Sequence, residues 1–167
     1  MLSELEARQL LVDLNDTSRD YNDHRCIHQL FEHQAERSPD RIALAHSNSQ
    51  ITYAELNARA NRLGRALLAR GLGREGVVAV VTERNLDWMA AVIAIFKAGG
   101  VYLPIEPHFP ADRIARTLAR AGCRLVLTEA GSTTSLEQAL HSLPEVQALP
   151  VDASIPSKSS AATRSPR

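Results

Sequence analysis

The sequence is poor in cysteine, in aromatic residues and in net charge, and each shortage excludes a class of protein. Its 167 residues contain two cysteines, Cys26 and Cys123, too few and too far apart for a disulfide framework or a C-x-x-C zinc site. Aromatic residues make up 4% of the chain and the formal net charge is zero. A nucleic-acid partner is therefore not expected, because such proteins carry basic patches and stacking aromatics.

Long apolar runs are also missing. The longest, at residues 88–96, falls well short of the roughly 20 apolar residues that a membrane helix needs, so it is predicted to be a buried helix and no membrane partner is expected. The acidic start after Met1 lacks the basic and then apolar order of a signal peptide. Because two unpaired cysteines suit a reducing compartment, the sequence predicts a soluble, cytoplasmic protein.

Two glycine- or serine-rich segments resemble phosphate-binding loops, but each has a simpler interpretation. A G-x-G-x-x-G pattern at 71–76 follows a predicted helix and precedes a predicted strand, which reverses the order in a dinucleotide-binding turn. It is interpreted as a helix stop and a turn. The AGSTTS segment at 130–135 lacks the lysine of a phosphate loop. Here Ser132 or Thr133 is interpreted as the cap of a helix.

Histidines and arginines form the remaining candidate clusters. Three histidines near the N-terminus are not joined by an acidic or cysteine cluster that would complete a tetrahedral metal site, and they are interpreted as surface residues: His24, His28 and His33. Four arginines of one predicted helix are interpreted as its solvated face: Arg59, Arg62, Arg65 and Arg70. No nucleophile elbow is found. The sequence therefore predicts no catalytic, cofactor-binding or metal-ligating residue in this chain.

The apolar pattern predicts an α/β fold: a largely parallel sheet flanked by helices, with a short N-terminal hairpin. Residues 41–45 and 50–53 are the predicted hairpin strands, and Thr52 with Glu55 predicts a capping box at the next helix. Strands and helices then alternate. Later strands are predicted at 77–81, 101–103, 125–127 and 146–149, and helices at 2–11, 27–37, 53–70, 86–98, 110–121 and 132–142.

Composition divides the chain into three predicted regions. Residues 1–25 are predicted to hold a short helix followed by a polar, extended stretch, and residues 26–150 to form a single α/β unit. Residues 151–167 are rich in serine, alanine and proline and have little to bury, so they are predicted to be a disordered tail.

The stretch FKAGGVYLPIEP at 96–107 is the most informative part of the sequence. It is followed by FPADRI at 109–114 and preceded by three further segments: CIHQLFE at 26–32, SPDRIAL at 38–44 and ITYAELN at 51–57. Together these segments resemble the adenylation domain of nonribosomal peptide synthetases, within the superfamily of AMP-dependent synthetases and ligases. Residues 1–25 resemble the linker that follows a condensation domain. Departures from the family pattern are small: Phe96, Gly100, Val101 and Glu106.

The resemblance implies a reaction and a set of ligands. The parent enzyme would activate an amino acid with ATP and Mg²⁺ to give an aminoacyl-adenylate, and then form a thioester on a carrier protein. In the family, a phosphate loop resembling T-S-G-S-T-G-x-P-K-G, the amino-acid pocket and a catalytic lysine lie further along the chain. None of them is found after Pro150. The chain is therefore expected to be an incomplete N-terminal subdomain that binds no cofactor and is inactive alone.

Three explanations of such a chain stay open. It is expected to be a truncated or frameshifted adenylation domain. It could instead be one half of a split enzyme, complemented in trans by the remainder of the domain. A third alternative is a non-catalytic docking module for a condensation domain, using residues 1–25. In each case, unpaired sheet edges and uncovered apolar faces predict a marginally stable, aggregation-prone isolated protein.

Overall fold

The computed structural model describes residues 3–19, 24–129 and 133–151. The helices are α1 (Glu4–Leu11), α2 (Ile27–Arg37), α3 (Tyr53–Ala69), α4 (Leu86–Lys97), α5 (Ala111–Arg120) and α6 (Thr134–His141). The strands are β1 (Ile42–His46), β2 (Ser49–Thr52), β3 (Val77–Val81), β4 (Val101–Pro104), β5 (Leu125–Thr128) and β6 (Gln147–Pro150). Every element predicted from the apolar pattern is present, and its ends lie within a few residues of the predicted positions.

Capping boxes define the starts of α1 and α3. Ser3 caps α1, and the carboxylate of Glu6 accepts from the Ser3 backbone N–H at 2.8 Å. Thr52 caps α3 in the same way, with Glu55 accepting from its N–H at 2.9 Å, so the predicted capping box is confirmed. A capping box satisfies two of the backbone donors that a helix start leaves without intrahelical partners. These helices therefore begin where the local sequence dictates.

The strands form two separate sheets. β1 and β2 pair antiparallel as the predicted hairpin, and Ser47 adopts a positive φ of 52° in its turn. The other four strands form a parallel sheet in the order β4-β3-β5-β6. Pro104, predicted to follow β4, instead ends it opposite Val80. A proline fits there because β4 is an edge strand of the described sheet, where the missing N–H interrupts no ladder.

Helices cover both faces of the parallel sheet. Val78 and Val80 point into a core shared with α3 and α4, whereas Ala79 and Val81 point into a second core shared with α5 and α6. Successive side chains of a strand alternate between faces, so a continuous apolar run such as β3 serves both cores. The predicted apolar face of α3 is confirmed as part of the first core by Leu56, Ala60, Leu63 and Leu67.

Glycines allow the segments that lead into β3 and β4 to pack closely at the amino edge of the sheet. Gly71 and Gly99 have φ values of 82° and 75°, a region that favours glycine, and each directly follows the end of a helix. A Cβ on Gly76 would lie 2.6 Å from the Leu72 side chain, and one on Gly100 would lie 3.1 Å from the Gly76 carbonyl oxygen. The glycines at 71–76 and at 99–100 thus serve chain reversal and close packing.

Lys97 anchors three helices at the end of α4. Its ammonium group forms an ion pair with Glu32 of α2 and donates a hydrogen bond of 2.7 Å to Asn57 of α3. The Lys97 side chain is only 10% exposed, while that of Glu32 is 39% exposed. Burying an ammonium group is costly unless it is paired, so this interaction fixes α2 against α3 and α4.

Two residues lie in surroundings that differ from the predicted ones. Arg59 does not belong to a solvated face: its guanidinium is half-buried and forms an ion pair of 3.0 Å with Asp87 at the start of α4. The periodicity of α3 alone could not show that α4 packs beside it. Val151, assigned to the predicted tail, is buried and donates a backbone hydrogen bond to Thr128. The rest of the predicted disordered tail lies outside the described residues.

Candidate functional site

The carboxyl edge of the parallel sheet is where a ligand site is expected. In open α/β sheets, ligands bind beyond the carboxyl ends of neighbouring strands whose following helices leave on opposite faces. β3 and β5 are such neighbours, because α4 and α6 pack on opposite faces of the sheet. The polar residues at this edge are Thr82, Glu83, Arg84, Asn85, Glu106, His108 and Glu129.

The crevice between β3 and β5 is bridged by Glu129. Its Oε1 accepts hydrogen bonds from the backbone N–H of Glu83 at 3.2 Å and from Nδ2 of Asn85 at 2.7 Å. Asn85 in turn caps α4, because its Oδ1 accepts from the backbone N–H of Trp88 at 2.9 Å. The carboxylate therefore links the exits of two strands to the start of a helix. This link was not predictable from the sequence, because its partners lie far apart in the chain.

On the other side of β3, an aromatic pair lies beside a charged pair. Nε1 of Trp88 donates to the hydroxyl of Tyr102 at 3.0 Å. The Arg84 guanidinium lies 6.0 Å from the Trp88 ring centroid and 3.6 Å from the Glu106 carboxylate. Both charged side chains are largely exposed, so this ion pair contributes little to stability.

One buried polar group at this edge has no hydrogen-bond partner in the part of the chain that the structure describes. Thr82 is only 7% exposed, and its Oγ1 has no hydrogen-bond partner among the described residues. Thr82 is one of the residues that line a small crevice of about 30 Å³, together with Trp88, Tyr102 and Glu106. An unpaired buried hydroxyl carries a desolvation cost, which makes Thr82 the unusual residue of this edge.

The charges of this edge do not suit a nucleoside triphosphate. Carboxylates predominate, and the arginine of this edge, Arg84, lies 3.6 Å from the Glu106 carboxylate. Binding phosphates requires uncompensated cations and convergent backbone N–H groups. The described residues of this edge therefore do not by themselves provide a site for the phosphates of ATP, and no group of three or more potential metal ligands occurs among the described residues.

The predicted metal and phosphate-loop candidates can be placed only in part. His24 and His33 are exposed, His28 is half-buried, and no group of three or more potential ligands occurs within residues 3–19, 24–129 and 133–151. Thr133, not Ser132, caps α6 by accepting from the N–H of Leu136 at 3.3 Å, while Ser132 lies outside the described residues. A capping role for this segment thus has a direct structural basis.

A larger cavity of about 540 Å³ lies at the opposite, amino edge of the sheet. Its walls include the glycines of the 71–76 segment together with Arg70, Arg124 and Glu145. The C-termini of α3 and α5 lie at this edge, and their partial negative charge offsets part of the positive charge of the two arginines. This mixture of charges does not define one class of ligand. As predicted from its inverted order, the glycine pattern ends a helix and precedes a strand.

Cys123 lacks the surroundings of a reactive nucleophile. Burial raises the pKa of the Cys123 thiol above its usual 9.0, against the opposing effect of hydrogen bonds with the backbone of Ala79 and Leu125. A thiol that stays protonated at neutral pH is a poor nucleophile. Cys26 is exposed at the start of α2, where the Gln29 side chain accepts from its backbone N–H.

The described helices also bear on the question of a membrane. Within the described parts of the chain, no helix is both long enough and apolar enough to span a lipid bilayer. The residues at 88–96 instead belong to α4, which packs against α3 and the sheet.

The architecture defines the class: a parallel α/β sheet covered by helices on both faces and preceded by a hairpin. Residues 31–165 match the family described as AMP-binding enzyme. The chain therefore belongs to the AMP-binding enzyme family, and its predicted resemblance to adenylation domains is confirmed. The matched range continues past β6, so it does not separate the Ser/Pro-rich tail from the family.

Curated relatives are large peptide synthases. The chain is 41% identical over 145 residues to tyrocidine synthase 3 of Brevibacillus parabrevis, covering 87% of this chain and 2% of that protein. It is 40% identical over 129 residues to gramicidin S synthase 2 of Brevibacillus brevis, covering 77% of this chain and 3% of that protein. The chain thus spans only a few hundredths of the length of these relatives.

Solved structures agree with this assignment. The nonribosomal peptide synthetase FmoA3 (S1046A), in its AMPPNP-bound form, superposes with a TM-score of 0.74 at 32% identity, over 91% of this chain and 16% of that one. O-succinylbenzoate coenzyme A synthetase from Bacillus subtilis superposes with a TM-score of 0.65 at 23% identity, over 74% of this chain and 31% of that one. The second likeness concerns the fold alone.

Proposed function

We propose that this chain supplies the first part of an amino-acid adenylation domain of a nonribosomal peptide synthetase. In the complete domain, the carboxylate of an amino acid would attack the α-phosphorus of ATP, with Mg²⁺ present, to give aminoacyl-AMP and pyrophosphate. The aminoacyl group would then pass to the thiol of a carrier protein as a thioester, releasing AMP. The observation that carries the proposal is 40% to 41% identity to peptide synthases over most of the chain.

We further propose that the 167-residue polypeptide alone does not catalyse adenylation. The described carboxyl edge offers one arginine, which lies near a carboxylate, and several carboxylates: Glu83, Glu106 and Glu129. Charge that develops on phosphate oxygens needs cations and N–H donors already in place. The role of these residues is then to build and brace a sheet that other parts of the domain would complete. No residue of the described chain is assigned a catalytic, cofactor-binding or metal-binding role.

The test is amino-acid-dependent exchange of labelled pyrophosphate into ATP by the purified polypeptide, run against all twenty amino acids. We expect exchange at the level of a protein-free blank, while a complete adenylation domain of a related synthase exchanges normally under the same conditions. Exchange above the blank that depends on one amino acid would disprove the proposal of inactivity. If a polypeptide carrying the remainder of the domain restores exchange when it is added, the chain acts as half of a split enzyme.

A second candidate function is docking to a condensation domain. It is favoured by the apolar side chains of α1 and the turn after it: Leu5 is 81% exposed, Leu11 74% and Leu14 65%. Exposed apolar patches of this kind commonly mark interaction sites. Capture of the condensation domain that precedes a related adenylation domain should then require residues 1–25. Equal capture without those residues would exclude this role.

The proposed location of the protein is the cytoplasm, where ATP and reduced thiols are abundant.

A further inference from the structure

The outer face of α5 carries a stripe of exposed arginines. Arg113, Arg116 and Arg120 follow one another at steps of three and four residues. At this spacing they share one side of the helix, and they span about 10 Å along it at 1.5 Å per residue. Ile114 and Leu118 attach the other face of α5 to the second core. The arginine stripe is therefore the solvent-facing side of a helix that is firmly packed.

The fold itself does not account for these positive charges. None of the three arginines forms an ion pair with a carboxylate of the described residues. Like charges three or four residues apart destabilise a helix slightly, and Arg113 lies in the first turn, where the helix dipole disfavours a cation. Of the three, only Arg120 is favourably placed, in the last turn. Charges that weaken the helix that carries them point to a partner of opposite charge.

Two of the guanidinium groups are already held beside the helix. That of Arg113 lies 3.8 Å from the centroid of the Phe109 ring, and Nε of Arg116 donates to the carbonyl oxygen of Asp112 at 3.1 Å. Neither contact neutralises the charge, and each leaves further N–H donors of the guanidinium for another acceptor. These side chains therefore lose little conformational freedom when a carboxylate binds them.

We propose that the arginine stripe of α5 is a docking surface for an acidic helix of another protein. Guanidinium groups bind carboxylates in a planar, two-pronged geometry, and carboxylates three and four residues apart on a partner helix repeat at the same distances as the arginines. The stripe lies on the outside of a helix, so a single small anion would reach only part of it. A nucleic acid is disfavoured because the chain has no net charge and because Arg113 covers the Phe109 ring, which therefore cannot stack on a base.

The test adds a synthetic, alanine-based helical peptide to the whole isotope-labelled chain and follows the Nε–H signals of its arginines by NMR. The peptide carries three glutamates at the spacing of the stripe, and a matched peptide carries glutamine in their place. We expect the signals of Arg113, Arg116 and Arg120 to shift with the glutamate peptide and not with the glutamine peptide. Raising the ionic strength from about 0.01 M to about 0.15 M shortens the Debye length from about 30 Å to about 8 Å, so binding should weaken several-fold.

A triple variant, Arg113→Gln with Arg116→Gln and Arg120→Gln, should bind the glutamate peptide about ten-fold more weakly. Its melting temperature should not fall, because the change removes repulsion between like charges. A control variant removes the same charge at three exposed arginines of other segments and should bind within about two-fold of the wild-type chain: Arg37→Gln, Arg41→Gln and Arg74→Gln.

Several results would overturn the proposal. One is the absence of shifts at the stripe with the glutamate peptide, or equal shifts with the glutamine peptide. Another is equal weakening by the two triple variants, which would make the attraction a general effect of charge. A lower melting temperature of the stripe variant would assign the arginines a structural role. Tighter binding of a short DNA duplex than of the glutamate peptide at the same signals would assign the stripe to nucleic acid.

Discussion

Removing Glu32 should destabilise the protein more than removing its partner Lys97. Glu32→Leu leaves a nine-tenths buried ammonium group that keeps its hydrogen bond to Asn57 but loses its carboxylate partner, whereas Lys97→Met leaves a carboxylate that is 39% exposed and can be hydrated. Breaking a fully buried pair from one side costs about 3–5 kcal/mol. Because Glu32 is partly exposed, we expect about 2 kcal/mol for Glu32→Leu, and less than about 1 kcal/mol for Lys97→Met.

The assays are equilibrium urea unfolding and thermal melting, both followed by circular dichroism and by the fluorescence of Trp88, the single tryptophan. At about 2–4 °C per kcal/mol for a chain of this size, Glu32→Leu should lower the melting temperature by about 4–8 °C. The double variant with Lys97→Met should recover most of that loss, because it buries no unpaired charge. Glu36→Leu, at an exposed position of the same helix, controls for the added leucine. A greater loss for Lys97→Met than for Glu32→Leu would refute the argument.

Three further predictions concern local features. Gly76→Ala should lower the free energy of unfolding by about 1–3 kcal/mol, because the added Cβ would overlap neighbouring atoms. Gly73→Ala faces open space and should lower it by less than about 1 kcal/mol in denaturant unfolding. Equal losses in the two variants would contradict this prediction. Cys26 should react rapidly with a thiol reagent while Cys123 reacts only on unfolding, so two fast thiols in native protein would refute the burial argument. Hydrogen bonds from its cap residue, Thr52, hold the pKa of Glu55 below 4.5, so the Glu55 carboxylate stabilises the fold above pH 4.5 and this stabilisation is lost as the pH falls through the folded pKa. Glu55→Gln should remove the contribution of Glu55 to the loss of stability in acid. An unchanged dependence of stability on pH in this variant would argue against the prediction.

Local features of the fold were predictable because each depends on residues close together in the chain. The Thr52–Glu55 capping box, the glycine that ends α3 and the apolar run of β3 are written within a few residues, and the structure confirms them. Alternation of strands and helices then limits the sheet to a parallel form. The family could be recognised from short motifs for the same reason, since each motif encodes a local turn or helix end.

Features that join distant segments were not predictable. Arg59 was assigned to a solvated face because nothing in α3 reveals that Asp87 lies beside it. The bridge from Glu129 to Asn85 likewise depends on β5 lying next to β3. The order of strands in the sheet determines these contacts, and it follows from packing the whole unit and not from any local pattern. The predicted absence of catalytic residues stays a prediction.

The motif that identifies the family is explained by packing. Lys97 pairs with Glu32, Gly99 adopts a positive φ, Gly100 packs against a neighbouring carbonyl, and Tyr102 accepts from Trp88. Each group is thus engaged by the fold itself. Catalysis of acyl-adenylate formation needs cations and donors whose bonding capacity is left for the substrate. A motif whose polar groups are already engaged can therefore mark the scaffold of an adenylating enzyme without contributing to its chemistry, and in such a chain family membership and activity are separate questions.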